Sequence, residues 1–181
     1  MASTLKINNL DSASGTTITV PTGKQLIGTD INSIKAPGMV IQMQNAVLPG
    51  GNAQTSAGSF IDTGLSCNIT PKYSNSKILI LVHYVISVVT ASSHARCDFR
   101  CIESNSSTEI YRIDYFGSDG NVSNLQKNCS GSGVFQCSNT NQLTFKTQVQ
   151  RANASNLEAA LIYQNWFNGG KLTITALEIA Q

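Results

Sequence analysis

From Lys77 to Val89 every even position is apolar (Ile78, Ile80, Val82, Tyr84, Ile86, Val88), and so are Leu79, Leu81, Val85 and Val89 on the odd positions. A strand shows its two faces at period two, so this segment predicts a strand with contacts on both sides. The even face belongs to a core. The odd face, with Leu79, Leu81, Val85 and Val89, is the candidate subunit interface. Between Gln142 and Gln150 the alternation is strict: Leu143, Phe145, Thr147 and Val149 intervene between Gln142, Thr144, Lys146, Gln148 and Gln150. One buried and one wet face follow, which puts that strand on an outer surface. Further strand-like runs cover 59–63, 65–70, 95–103, 108–113, 133–137, 157–164 and 171–180, separated by Gly, Asn and Ser. Eight or nine short antiparallel strands and no helix-period stripe predict an all-β chain whose residues 58–181 form a jelly-roll-like β-sandwich.

Residues 1–36 carry a different pattern. Short apolar triplets alternate with turn-formers such as Asn8-Asn9, Ser14-Gly15, Pro21-Thr22-Gly23 and Gly28-Thr29-Asp30. The strip holds nine Leu, Ile or Val side chains and no aromatic residue. That is too little apolar surface to offset about 1–2 kcal/mol of backbone entropy per ordered residue. Copies of the chain must then complete its core, and a trimeric stalk is expected, anchored through Leu5, Ile7, Leu10, Ile18 and Val20. Residues 37–57 read as one strand followed by a flexible linker around Pro49-Gly50-Gly51-Asn52, the best domain boundary.

Composition narrows the function. Only 12% of residues are charged, against roughly 25% in a typical domain, and the net charge is +2 with no basic cluster. Row-wise neutralisation of phosphates and electrostatic membrane docking lose their driving force, so neither nucleic acid nor membrane insertion is expected. The N-terminus lacks a basic start followed by an apolar stretch, and the longest aliphatic run, Ile78 to Val82, is far shorter than the ~20 residues of a spanning helix. The five cysteines, Cys67, Cys97, Cys101, Cys129 and Cys137, are odd in number, which excludes a complete disulfide framework and makes free thiols the default.

Catalytic and metal chemistry find little support. Cys97 and Cys101 share a strand face with Cα atoms about 13 Å apart, too far for one ion, and no C-x-x-C is present. His83 sits in an apolar strand, and neither it nor His94 has an evident Asp orienter; G-x-S-x-G is absent. Neither a cofactor nor an enzymatic activity is expected. Recognition is the more credible chemistry. The segment from Tyr111 through Tyr115, Phe116 and Asp119 to Asn121 joins aromatics, charges and turn residues in a predicted loop, and Trp166 to Asn168 does so again. Flat aromatic faces beside Asn and Asp suit sugar rings, so Tyr111, Tyr115, Phe116, Asp119, Asn121, Trp166 and Asn168 are the candidate receptor-binding residues.

The strip ASTLKINNLDSASGTTITVPTGKQLIGTDINSIKAP, with SFIDTGLSCNITPKYSNSKILILV and the terminal KLTITALEIAQ, resembles small bacteriophage tail-fibre and virion fibre proteins. The likeness covers the two ends and the first third of the sandwich, leaving 91–165 unplaced. It implies a homotrimer located in the virion, assembled in the host bacterial cytoplasm. Two roles stay open: a fibre subunit displaying its head for attachment to a host glycan or receptor, and a decoration or cement trimer on the capsid. Another tail or capsid protein is the expected partner of the N-terminal strip.

Overall fold

The structure, a computed structural model, describes residues 20, 22–25, 27, 36–48, 54–55, 58–89, 95–118, 125–151, 159–162 and 172–181. By its internal contacts the chain divides into Met1–Ile34 and Lys35–Gln181. In the first unit, Thr22-Gly23 form the turn expected there, with Gly23 at φ 79°, a conformation that favours glycine.

The second unit is built of strands: β1 Val40–Leu48, β2 Gln54–Thr55, β3 Ile61–Ile69, β4 Lys77–Val89, β5 Ala95–Glu103, β6 Thr108–Ser118, β7 Leu125–Gln136, β8 Leu143–Arg151, β9 Ala159–Ile162 and β10 Leu172–Ile179. Sheet A places β10 between β1 and β4, with β7 on the opposite edge of β4; β9 takes over from β10 along the second half of β4 and carries β2. Sheet B has the order β3-β8-β5-β6. Setting aside the short β2 and β9, the eight long strands pair first with last and inward from there: β1 with β10, β3 with β8, β4 with β7, β5 with β6, all antiparallel. Such nested pairing is one long hairpin rolled into two facing sheets, the jelly roll.

The core lies between the sheets. Ile78, Ile80, Val82 and Tyr84 of β4 and Leu172, Ile174 and Ala176 of β10 face Leu65, Cys67, Ile69, Phe99, Phe145 and Val149 of sheet B. Two aromatic pairs join the layers. Tyr84 stacks on Phe99 at 3.8 Å between ring centroids, and Phe135 meets Phe145 edge-on at 5.7 Å. The alternation along β3, β4 and β10 is the one the sequence shows, because a period-two pattern has one way to bury its apolar set.

The strand expected within 37–57 is an edge strand of sheet A, and its start is pinned. Pro37-Gly38 form a turn, with Gly38 at φ 84°, closed by the Met39 amide donating to the Ala36 carbonyl at 3.1 Å. The Gly38 amide also donates to Ala180, and the Ala180 amide to Met39, both at 2.9 Å. The runs expected at 59–63 and 65–70 merge into β3. Gly64, at φ 87°, supplies the kink where the register with β8 shifts, so one strand bends instead of ending.

Candidate assembly face and end cleft

The outer face of sheet A is a set of cross-strand rungs. Met43 of β1 pairs with Leu177 of β10, Leu177 with Leu79 of β4, and Leu79 with Val134 of β7. Four apolar side chains thus stand in one row across four strands, each within packing distance of the next. The neighbouring rungs add Val40 and Ile179 on one side and Leu81 on the other. Met43 is 61% exposed and Val134 57%. Lys77 is the single full charge among the described residues of this face, and it sits at the end of the strand.

Sheet B is the opposite. Its outer face carries Asp62, Asp98, Arg100, Glu109, Arg112, Asp114 and Lys146. Arg100 and Arg112 face one another across β5 and β6, and their like charges are offset locally. The Arg100 guanidinium lies 3.8 Å from the Phe60 ring centroid, and its Nε donates to the Gln148 side-chain oxygen Oε1 at 2.8 Å. Arg112 pairs with Asp114, Asp98 and Glu109. Lys146 likewise pairs with Asp62 at 2.9 Å, so each base of this face stands beside an acid.

At the end where β1 starts and β10 stops, two buried carboxylates hold the loops. Glu178, fully buried, accepts from the backbone amides of Lys72 at 2.8 Å and Tyr73 at 3.1 Å and from the Gln42 amide at 2.5 Å. Glu103 accepts from the amides of Asn105 at 3.1 Å and Ser106 at 2.8 Å and from the Ser106 hydroxyl at 2.7 Å. Burial pushes both acids up, but these hydrogen bonds outweigh it and leave each below its ordinary value. Beside Glu103, a cleft of about 260 Å³ opens between the β5–β6 turn and the β7–β8 connection.

Neither a protein family nor a curated protein matches this sequence. Among solved structures it is similar to the infectious bursal disease virus VP2 subviral particle, at 14% identity and a TM-score of 0.39, over 87% of this chain and 42% of that one. It is also similar to a mutant VP2 protein of the same virus (12% identity, TM-score 0.38, 86% and 41% covered) and to the Gx strain of that virus (14%, 0.35, 87% and 41%). This chain spans less than half the length of those chains.

The residues singled out from sequence fare unequally. Leu79 and Leu81 lie on the outer face of sheet A; Val85 and Val89 continue the same strand, with side chains outside the described set. The loop expected from Tyr111 onward is corrected: through Ser118 it is strand β6, paired with β5. Tyr111 itself turns toward the core, its hydroxyl 3.4 Å from that of Tyr84 and its ring against the backbone at Gly131. Tyr115 and Phe116 fall on β6 with side chains outside the described residues, and Asp119, Asn121, Trp166 and Asn168 lie outside them altogether. The same holds for Leu5, Ile7, Leu10 and Ile18; Val20 is 44% exposed. His83, expected in an apolar setting, stands exposed beside Thr173 on sheet A.

Sequence reasoning missed the row-mates of Leu79. Met43, Val134 and Leu177 come from three other strands, and only the register brings them together. It also missed both carboxylate staples, since Glu103 and Glu178 sit at ordinary strand ends and carry no motif. The cysteines behave as apolar fillers: Cys67, Cys97 and Cys101 belong to the core, and burial pushes the thiols of Cys97 and Cys101 up to about 12.

Proposed function

We propose that this chain is a structural protein of a bacteriophage particle, a threefold fibre subunit that assembles through the outer face of sheet A and displays its sandwich for attachment to a host-surface glycan, without catalysis. The observation that carries this reading is the in-register apolar row Met43–Leu177–Leu79–Val134. A face with almost no charge offers nothing to an ionic partner, whereas three copies of the chain can turn this apolar face toward a common threefold axis at equal concentration.

The size fits. Four strands about 4.8 Å apart, over some eight residues at about 3.4 Å each, give a face of roughly 500 Å². Two copies then bury about 1,000 Å² or more, the lower margin of a specific interface. A contact of that size holds more firmly when the N-terminal strip, itself poor in apolar side chains, self-associates as well. The likeness of that strip to phage fibre proteins supports the virion location and the anchoring role. Three sites on one axis gain avidity without a new contact, which suits a repetitive surface glycan.

Sedimentation equilibrium of the full chain tests the assembly. The expected mass is three times 19.3 kDa, falling to one in Leu79→Asp. A wild-type chain that stays monomeric at tens of micromolar overturns the proposal, and so does a trimer indifferent to Leu79→Asp and Val134→Asp together. Adsorption of labelled protein to host cells separates attachment from capsid decoration, which instead raises the heat resistance of capsids.

A further inference from the structure

We infer that the cleft between the β5–β6 turn and the β7–β8 connection binds one neutral sugar ring. This deepens the attachment reading by naming a ligand class and a place for it, on residues other than the aromatics picked out by sequence.

The cleft opens at the end of the sandwich, where the two sheets part. Phe135 and Leu143 form an apolar floor, and Asn105, Ser106, Asn139 and Asn141 stand among the polar groups around it. The Phe135 ring is held by its edge-on contact with Phe145, so the floor is fixed before any ligand arrives. The rim is fixed as well. Glu103 clamps the amides of Asn105 and Ser106, the Asn105 side chain reaches across to the Gln142 carbonyl at 3.4 Å, and the Asn139 carboxamide oxygen accepts from the Asn141 amide at 2.8 Å. Ser107, in the turn, takes φ 56°, a left-handed conformation uncommon outside glycine, and the Glu103 clamp holds the two residues before it. Within the described residues the side-chain amides of Asn141 and Gln142 make no hydrogen bond to protein, leaving donors and acceptors for a ligand.

The chemistry of the lining selects the class. Among the lining residues are no Lys or Arg, and the one charged group is the Glu103 carboxylate, so phosphate and carboxylate ligands meet repulsion without compensation. No group of three metal-ligating side chains occurs among the described residues, so a cation lacks its shell. A purely apolar ligand would strip water from the rim amides and hydroxyls and give no hydrogen bond back. A neutral ring with an apolar face for Phe135 and hydroxyls around its edge satisfies both halves. The volume, about 260 Å³, lies below the ~300–1,000 Å³ of sites for drug-sized molecules and limits the occupant to one ring.

Saturation-transfer NMR on the full chain tests this, with glucose, galactose, mannose and N-acetylglucosamine as probes and glycerol as the acyclic control. At least one ring sugar is expected to receive saturation that glycerol does not. Its affinity is expected to fall about tenfold in Asn141→Ala and again in Gln142→Ala, the loss of one hydrogen bond each. Both side chains are exposed, so the melting temperatures should not move. No transfer to any of the four sugars overturns the inference, as does transfer undiminished in both variants. If a sugar binds as expected while labelled protein fails to adsorb to host cells, the cleft stands and the attachment reading falls. If cells adsorb wild type and both variants equally, attachment stands and the cleft is not its site.

Discussion

A Cβ atom built on Gly133 of β7 would lie 2.2 Å from the carbonyl oxygen of Ile110 in β6. The two sheets close on each other at this edge with no room for a methyl group between their backbones. Two residues away, a Cβ on Gly131 would meet the ring of Tyr111 at 2.3 Å. The first obstacle is backbone and cannot swing aside; the second is a side chain that can give somewhat.

Gly133→Ala is therefore expected to destabilise the fold by roughly 3 kcal/mol, the scale of a backbone forced apart in a packed interior. Its melting temperature should drop by about 10 °C, given about 2–4 °C per kcal/mol for a domain of this size. Gly131→Ala should cost less and break the Tyr84–Tyr111 hydroxyl contact. Calorimetry of the two variants side by side checks the order; equal melting temperatures would refute the close approach of β6 and β7.

Glu178→Gln replaces a carboxylate that accepts three hydrogen bonds, from Lys72, Tyr73 and Gln42, with an amide that must turn a donor toward at least one of them. A buried donor facing a donor loses a charge-assisted bond and leaves a group unsatisfied, so a loss of about 3 kcal/mol is expected in urea unfolding. Glu178→Ala would confound this by leaving a cavity, which makes the near-isosteric variant the better probe.

Acid should loosen the same end of the molecule. Glu103 and Glu178 are both held below their ordinary 4.5 in the folded chain, so under acid the unfolded state takes up the more protons. Their contribution to stability is whole above about pH 4.5 and drains away as pH falls through the depressed folded values. The urea midpoint is expected to stay level on this account from pH 7 to 5 and to fall below about 4.5, with a shallower fall in the Glu103→Gln, Glu178→Gln double variant. A double variant as acid-sensitive as the wild type would show that other groups govern the transition.

Thiol chemistry reports on the core. The thiols of Cys97 and Cys101 are fully buried and pushed up to about 12, and that of Cys137 to about 11, in each case by burial first. Cys129 is only half-buried. Brief alkylation of native protein at pH 8, read by mass spectrometry, should modify Cys129 ahead of the other four, because nucleophilic attack needs an accessible thiolate. Early modification of Cys97 or Cys101 would mean that the sandwich opens on the labelling timescale.

Several features were legible along the chain. β4 and β5 run over the residues their patterns mark, because a long apolar alternation flanked by turn residues has few other conformations to adopt. β7 was legible only at its end. Its first half, Leu125 to Ser132, is Gln, Lys, Asn, Ser and Gly for the most part, a composition that reads as a loop. It pairs with β4 residue by residue because β4 is already placed and offers a full ladder of hydrogen bonds. The loop read from Tyr111 failed for the same reason in reverse: aromatic and charged residues in β6 obey the demands of β5 on one side and of Gly131 on the other.

The sequence by itself determined the class of the fold and the faces of its strands, since side-chain alternation is a local property with a period of two. It also marked Leu79 and Leu81 as apolar residues on a second face. Tertiary structure alone decided which residues share a rung, which carboxylates find backbone amides, and where the two sheets part to leave a cleft. Those depend on strand order and register, set by the mutual fit of segments a hundred residues apart, such as Met43 with Leu177 and Lys72 with Glu178.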